Sequence, residues 1–259
     1  MQHGPFRHIR LEREAGVVTI TIDRPEKHNA LNDGAMLDLS RAFAEIEFDR
    51  SVDAVVVEGA GEEAFSAGAD IEQYAGPSEA HDPMQKERQD RFYDVYREPF
   101  ECHAPVIAKI DGFCVGGGLI FAMYCDLRIA SEGSQFGVPT ANIGQIPTGG
   151  ATRRAVELVG EAKAKELVFT AGYVGAEAAH DAGLVNDVVP DDELDERVTS
   201  LVEAMGDAGR EAVKNSKRAI NAAVEAETPE RAREHEADLW WAQFATEERR
   251  ELVDEFTEG

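Results

Sequence analysis

Lysine is scarce in this chain: seven residues, at 27, 86, 109, 163, 165, 214 and 217, against 51 acidic residues and a net charge of −25 in 259 residues. Such a balance repels polyanions and excludes nucleic acid as a partner. Acidic pairs are scattered rather than gathered in a tail, so the excess reads as a whole surface. That surface predicts a protein adapted to high salt, where screening suppresses self-repulsion. Long apolar runs are also missing. No stretch reaches the roughly 18 residues of a membrane span, and the opening MQHGPFRHIR lacks a secretory apolar segment, so a cytoplasmic chain with no membrane partner is expected. Cysteine is limited to Cys102, Cys114 and Cys125, without CxxC or Cys/His ligand spacing. An odd, unpatterned set excludes a disulfide framework and a structural metal site, leaving small packing side chains. Seven histidines show no ligand spacing either. GxSxG, Walker A, HExxH and SxxK are absent, which removes the motif basis for serine hydrolase, nucleotidase and zinc protease chemistry.

What is present is strand and helix in alternation. Residues 6–23 predict a hairpin turning at Ala15-Gly16, followed by the loop RPEKHNALN. Asp33 is placed as the N-cap of a helix carrying Met36, Leu37, Leu39, Phe43, Ile46 and Phe48, and AVVVEG as a buried strand. GAGEEAFSAGAD is expected as a loop, and 77–101 as irregular polar chain with helical spacing at Phe92, Val95, Tyr96 and Phe100. VIAKI, a glycine turn, the helix LIFAMY and the strand DLRIA come next, with QFGVP as a short strand. Beyond Pro147 the pattern is helical: TRRAVELVG, AKAKELVFTA, then, after GLVNDVV, helices over 191–205, 208–226 and 228–257. An α/β core with a helical C-terminal part is the reading.

Two strand exits carry the chemical signal. Phe65 to Ile71 leaves one strand through small residues, and Gly112 to Gly118 leaves the next, with Gly116, Gly117 and Gly118 at a helix start. Glycine permits close approach, and the first N–H groups of a helix lack intrahelical acceptors and face its positive end. Such a place holds negative charge, either a ligand phosphate or an oxygen that becomes charged during a reaction. Two such turns side by side each supply one donor to a single oxygen. A rival fingerprint, the GxGxxA from Gly59 to Ala64, follows a strand but offers Glu62 and Glu63 to a pyrophosphate and does not run into a periodic helix. Nicotinamide binding is set aside.

These blocks, RPEKHNALN, AFSAGADI, the GGG turn running into AMYCDLRIA, QFGVPTANIGQIPTGG and AGLVNDVV, resemble in order and spacing those of the crotonase (enoyl-CoA hydratase/isomerase) superfamily. The likeness covers nearly all of residues 6–257. It implies an α/β fold, a crotonase-like spiral of ββα units over residues 1–195, with a helical C-terminal trimerisation region over 196–259. It also implies a homotrimer or hexamer, an acyl-CoA thioester as substrate, and no cofactor beyond the coenzyme A that is part of that substrate. Carried over by position, the oxyanion hole falls on the backbone N–H groups of Ala69 and Gly117. Ala67, Ala69, Asp70, Ile71 and Glu72 line the adenine and pantetheine side, and Lys27 lies where relatives meet CoA phosphates.

The same likeness exposes departures. The helix position of one family glutamate is Ile120, the position of the second, after the proline of the QFGxP block, is Thr140, and an acidic position of some isomerases is Thr148. Water addition needs a base and an acid, each worth roughly 10²–10⁴-fold, which isoleucine and threonine cannot supply. The backbone hole does not depend on those side chains. One expectation is therefore an acyl-CoA enzyme, lyase, isomerase or decarboxylase, that stabilises a thioester enolate while Asp70, Glu72, Tyr74, Thr140, Gln145 or Thr148 moves protons. The alternatives are a non-catalytic acyl-CoA-binding or assembly subunit, and a pocket closed by Ile120 and Phe121.

Overall fold

Ala15 and Gly16 both sit at positive φ, and the chain folds back there so that Ile9 faces Ile22 across an antiparallel pair. This is the expected hairpin, β1 (Ile9–Glu14) and β2 (Val17–Ile22). The computed structural model describes residues 6–74 and 82–258. Next come α1 (Asp33–Phe48), β3 (Ala54–Gly59), β4 (Ala64–Ser66), α2 (Pro83–Glu101), β5 (Val106–Ile110), β6 (Phe113–Val115) and α3 (Gly117–Tyr124). They are followed by β7 (Leu127–Ser131), β8 (Gln135–Gly137), α4 (Ala151–Thr170), β9 (Tyr173–Gly175), α5 (Ala176–Asp181) and β10 (Asp187–Val189). Four helices complete the chain: α6 (Leu194–Asp207), α7 (Arg210–Glu225), α8 (Pro229–Phe244) and α9 (Glu247–Glu258).

Among the described residues two sheets form. One runs β1-β2-β3-β5-β7-β10, parallel beyond the hairpin, and the other runs β4-β6-β8-β9, parallel except for its last pair. Alternation along β3 divides the core. Val55 and Val57 face a large cluster with Leu39, Phe43, Phe121 and Met123, whereas Val56 joins Ile107, Ile129, Leu194 and Val198 under α6. Each such side chain contributes about 1.5–3 kcal/mol when removed from water. Helix α3 is apolar all round and every one of its residues is buried, so it forms the centre rather than a surface layer.

Several expectations need correction. Asn32, not Asp33, caps α1, its side chain accepting from the Ala35 N–H at 2.7 Å. Leu37 and Phe48 are exposed, so the buried stripe of α1 is Met36, Leu39, Phe43 and Ile46. The loop after β3 contains β4, three residues whose strand character comes from pairing with β6 and leaves no periodicity to read. The region from 83 to 101 is one helix, started by the Asp82 cap and Pro83, while 77–81 lie outside the described residues. Gly160, at φ 75° and ψ 162°, divides α4 into the two segments expected. The expected helix over 228–257 is broken at Ala245, because the Thr246 hydroxyl accepts from the Arg249 N–H and starts α9.

Two lysines on α7 are buried, which the charge pattern does not announce. Lys217 Nζ donates to the carbonyls of Pro99 (2.7 Å) and Ala104 (3.0 Å) and pairs with Asp126 at 2.7 Å. It fastens α7 to the end of α2 and the start of β5. All three cysteines are buried and unpaired, and burial pushes the Cys102 and Cys125 thiols up to about 11 and about 12. At neutral pH they stay protonated and unreactive. No helix of the described residues is long and apolar enough to cross a membrane.

Candidate active site

β4 and β6 are adjacent and parallel, so the chain leaves both in the same direction and the two small-residue turns lie side by side. After β4, Gly68 takes φ +89°, and after β6, Gly116 takes φ +52°. A Cβ on Gly68 would stand 2.7 Å from the Gly117 nitrogen and 2.7 Å from the Val115 carbonyl oxygen, so only glycine lets the turns come this close. The Leu31 N–H donates to the Gly68 carbonyl and the Asp70 N–H to the Leu31 carbonyl, a bridge that turns the Ala69 N–H the other way. Gly117 is the first residue of α3. Among the described residues neither the Ala69 nor the Gly117 N–H donates to another group of the chain. A Cβ on Gly117 would lie 3.1 Å from the Ala69 nitrogen and overlap the Tyr96 hydroxyl, so the two turns meet closely there.

The dipole of α3 is anchored at its far end. Arg128 donates from Nη1 to the carbonyls of Ala122 and Cys125, and Arg154 Nε donates to Met123 at 2.8 Å. Burial pushes the Arg128 guanidinium down to about 10, which leaves it charged at neutral pH. Two cations thus satisfy the C-terminal carbonyls, and the free N-terminus faces the turns.

The turn after β4 is held by side chains from the RPEKHNALN loop. Asn29, itself at φ 56°, donates to the carbonyls of Ala60 and Ala64 and accepts from the Arg24 N–H. Arg24 pairs with Asp70 at 3.0 Å, both nearly buried, and also donates to the Ala30 carbonyl. Ser66 donates to the Asn29 carbonyl and accepts from the Gly68 N–H. Asp70 is therefore engaged in a buried ion pair. Ala67, Ile71 and Glu72 are exposed beside it. Lys27 Nζ meets Glu72 Oε1 at 2.7 Å at the surface, and this bond raises the lysine's pKa above its ordinary value. Gln73 and Arg88 tie the segment to α1 and α2 through Asp33.

The positions singled out for proton transfer lie around α3 and β8. Ile120 is buried on α3, with its Cγ2 3.4 Å from where a Cβ on Gly149 would stand. Thr140 follows β8, and its Oγ1 is buried without a hydrogen-bond partner among the described residues. Gln145 and Thr148 are exposed in the following loop, and the side chain of Tyr74 lies outside the described residues. His28, at positive φ, pairs with Glu63 at 3.0 Å on the surface. Sequence reasoning did not single out Arg24 and Asn29, because a buried arginine and a turn asparagine read like any other polar loop residue. Tyr96 appears there only as a helix-face residue, yet a Cβ on Gly117 would overlap its hydroxyl.

A cavity of about 670 Å³ lies elsewhere, between the outer face of β1, β2, β3 and β5 and helix α6, lined by Val17, Val56, Lys109, Val198, Val202 and Met205. It contains neither free N–H group. Two neighbouring N–H donors of this kind can stabilise an oxyanion, which a groove lined largely by valine and ion pairs cannot.

Residues 12–259 match the enoyl-CoA hydratase/isomerase family. The chain is 36% identical to a short-chain-enoyl-CoA hydratase of Clostridium acetobutylicum over 98% of its own length and 95% of the relative's. It is 35% identical to a crotonyl-CoA hydratase of Syntrophomonas wolfei, covering 98% and 96% of the two chains. A crystal structure of an enoyl-CoA hydratase from Bacillus anthracis superposes with a TM-score of 0.92 at 29% identity, over 97% of this chain and 96% of that one. The structure of Pseudomonas aeruginosa DspI matches with the same TM-score and identity, over 99% and 96%.

Proposed function

The chain belongs to the enoyl-CoA hydratase/isomerase family, with the crotonase fold, and from that premise we propose that it binds an acyl-CoA thioester and stabilises its enolate on the backbone N–H groups of Ala69 and Gly117. The observation that carries this reading is the close approach of the two turns that bear those undonated N–H groups. As the α-carbon gains electron density, the thioester oxygen becomes an oxyanion, and fixed donors in a water-poor site stabilise it without reorganising. Ala67, Asp70, Ile71 and Glu72 border the path of the coenzyme, and Lys27 is the cation offered to its phosphates. Engagement of Asp70 by Arg24 favours a structural part for this carboxylate over proton transfer.

In this reading the acid/base positions of the hydratase relatives are held by Ile120, Thr140 and Thr148, and crotonyl-CoA hydration is slow. A substrate that reaches the enolate without a protein base suits such a site. In a malonyl-type thioester the bond between the α-carbon and its carboxylate breaks, CO₂ leaves, the electron pair moves onto the thioester oxygen, and a proton from solvent returns to the α-carbon. The test is turnover of crotonyl-, malonyl- and methylmalonyl-CoA. Decarboxylation well above hydration supports the proposal. Hydration as fast as that of the clostridial relative, or no turnover of any acyl-CoA, overturns it.

A second reading, a non-catalytic acyl-CoA-binding subunit, is favoured by Ile120, whose burial against the wall formed with Gly149 serves packing. Calorimetric binding of several acyl-CoAs without conversion would select it. A homotrimer or hexamer is proposed as the assembly. Support comes from Trp240, Trp241 and Phe244, which stack on one another on α8 yet remain exposed, and from exposed Phe256 on α9.

A further inference from the structure

A smaller cavity, of about 50 Å³, lies where the ends of α2, α3 and α7 meet the start of α4. In a chain of net charge −25, three arginines line it: Arg97 from α2, and Arg153 and Arg154 from the first turn of α4. Two of them are held against aromatic rings. Arg97 Cζ lies 5.3 Å from the Phe100 centroid and 5.8 Å from that of Tyr124, and Arg154 Cζ lies 5.6 and 6.0 Å from the same two rings. Their partner carboxylates sit further out. Arg97 is 19% exposed, against 61% for Glu101 and 44% for Glu225, and Arg154 is 13% exposed, against 27% for Glu157. Glu157 also pairs with Arg153, so one carboxylate is divided between two cations. Arg154 Nη2 donates to no group among the described residues. A cation taken out of water needs a close anion, and exposed carboxylates are weak partners for it. The backbone adds to this field. Gly150 caps α4 without a side chain, no acidic residue stands in the first turn, and the N–H groups of Thr152 and Arg153 have no acceptor among the described residues. Arginines at that positive end are unfavourable unless an anion lies between them.

We propose that this cavity is a binding site for a small oxyanion, a carboxylate or a phosphate, held by Arg97, Arg153 and Arg154. Planar guanidinium groups match the paired oxygens of such a group, and the space exceeds that of one water molecule. Tyr124 is a further donor at the wall. Its hydroxyl packs where a Cβ on Gly150 would stand, and burial raises its pKa above the ordinary value, so it keeps its proton at neutral pH. The place of the cavity connects it to the paired turns. α3 carries Gly117 at one end and Tyr124 at the other, about 10 Å apart along the helix. Gly149 borders Ile120 and the next residue, Gly150, borders Tyr124, so an anion that holds the start of α4 also holds the wall beside Ile120. One chemistry has two sources here: a free anion, or the terminal carboxylate of an acyl group carried on coenzyme A. The second source rests on the acyl-CoA reading above, and the first does not.

The probe is inorganic phosphate, titrated at an ionic strength held constant with sodium chloride and read by calorimetry and by the thermal unfolding midpoint. The wild-type chain is expected to bind one phosphate and to unfold at a higher temperature with it. Arg97→Gln, which keeps a polar side chain without the charge, is expected to bind phosphate about 10–100-fold more weakly. No phosphate binding by the wild-type chain, or equal binding by wild type and Arg97→Gln, overturns the site. Far-ultraviolet circular dichroism reports whether Arg97→Gln keeps its fold. If it does not, Arg153→Gln, at an exposed side chain, carries the same test and is expected to weaken phosphate several-fold. A second arm separates the sources by binding suberyl-CoA and octanoyl-CoA, which share an eight-carbon length and differ in the terminal carboxylate. Phosphate that weakens suberyl-CoA more than octanoyl-CoA assigns the site to the acyl carboxylate, and an equal effect on the two assigns it to a free anion. Failure of both thioesters to bind overturns the acyl-CoA reading and leaves the phosphate result standing.

Discussion

The two turns that frame the site are built by different means. The turn after β4 is clamped by side chains: Arg24 on Asp70, Asn29 on Ala60 and Ala64, Ser66 on Asn29 and Gly68. The turn after β6 has no side chains to clamp, and is fixed by the Gly116 N–H donating to Gly137 and by the anchored C-terminus of α3. One donor is therefore protected by an ion-pair network and the other by steric exclusion. Stability should be the more sensitive property at the first turn, and chemistry at the second.

Arg24→Leu probes the clamp. It leaves the Asp70 carboxylate buried and unpaired, and about 3–5 kcal/mol of folding stability is expected to go, measured by urea unfolding. A loss below 1 kcal/mol would show that the network is incidental. Gly117→Ala probes the other turn. The φ of Gly117 is not positive, so alanine fits the backbone, but its Cβ would stand 3.1 Å from the Ala69 nitrogen and against the Tyr96 hydroxyl. Acyl-CoA turnover is expected to fall about 10²–10³-fold, while the overlap with the Tyr96 hydroxyl costs about 1–3 kcal/mol of folding stability, less than the loss in Arg24→Leu. A variant equally damaged in folding would erase the contrast. Gly68→Ala touches both turns, since it forces φ +89° on alanine and presses its Cβ on the Gly117 nitrogen. A loss of about 2–3 kcal/mol together with reduced turnover is expected.

Lys27→Ala should be the mildest. The Lys27–Glu72 pair is exposed, so no change in unfolding midpoint is expected, only a rise of a few-fold in KM for acyl-CoA that disappears in molar salt. The Arg24→Leu loss, coming from a buried pair, should persist in that salt. Equal salt sensitivity of the two variants would contradict the distinction between buried clamp and exposed contact.

How far these features were legible follows from what makes them. Strands β2, β3 and β5 announce themselves as β-branched runs, and the helix start at Gly117 shows through its glycines. β4, β6 and β8 have three residues each and exist through pairing with one another, so local pattern alone marks them poorly. Ala69 and Gly117 could be named only from the resemblance of their motifs, while the strand exits pointed independently to the two segments that contain them. Arg24 and Asn29 could not, because their importance lies in burial and in partners 31 to 46 residues away. Tyr96 was visible only as an apolar-face residue. Periodicity places it on the buried side of α2 but says nothing of where its hydroxyl ends, which is decided by the glycines at 117 and 149.

The central claim is that two backbone N–H groups hold a thioester oxygen. A crystal structure of the chain with acetoacetyl-CoA bound tests it most directly. The thioester oxygen is expected within about 3 Å of both the Ala69 and Gly117 nitrogens. A thioester lodged in the 670 Å³ groove beneath α6, or with its oxygen turned away from both nitrogens, would contradict the account.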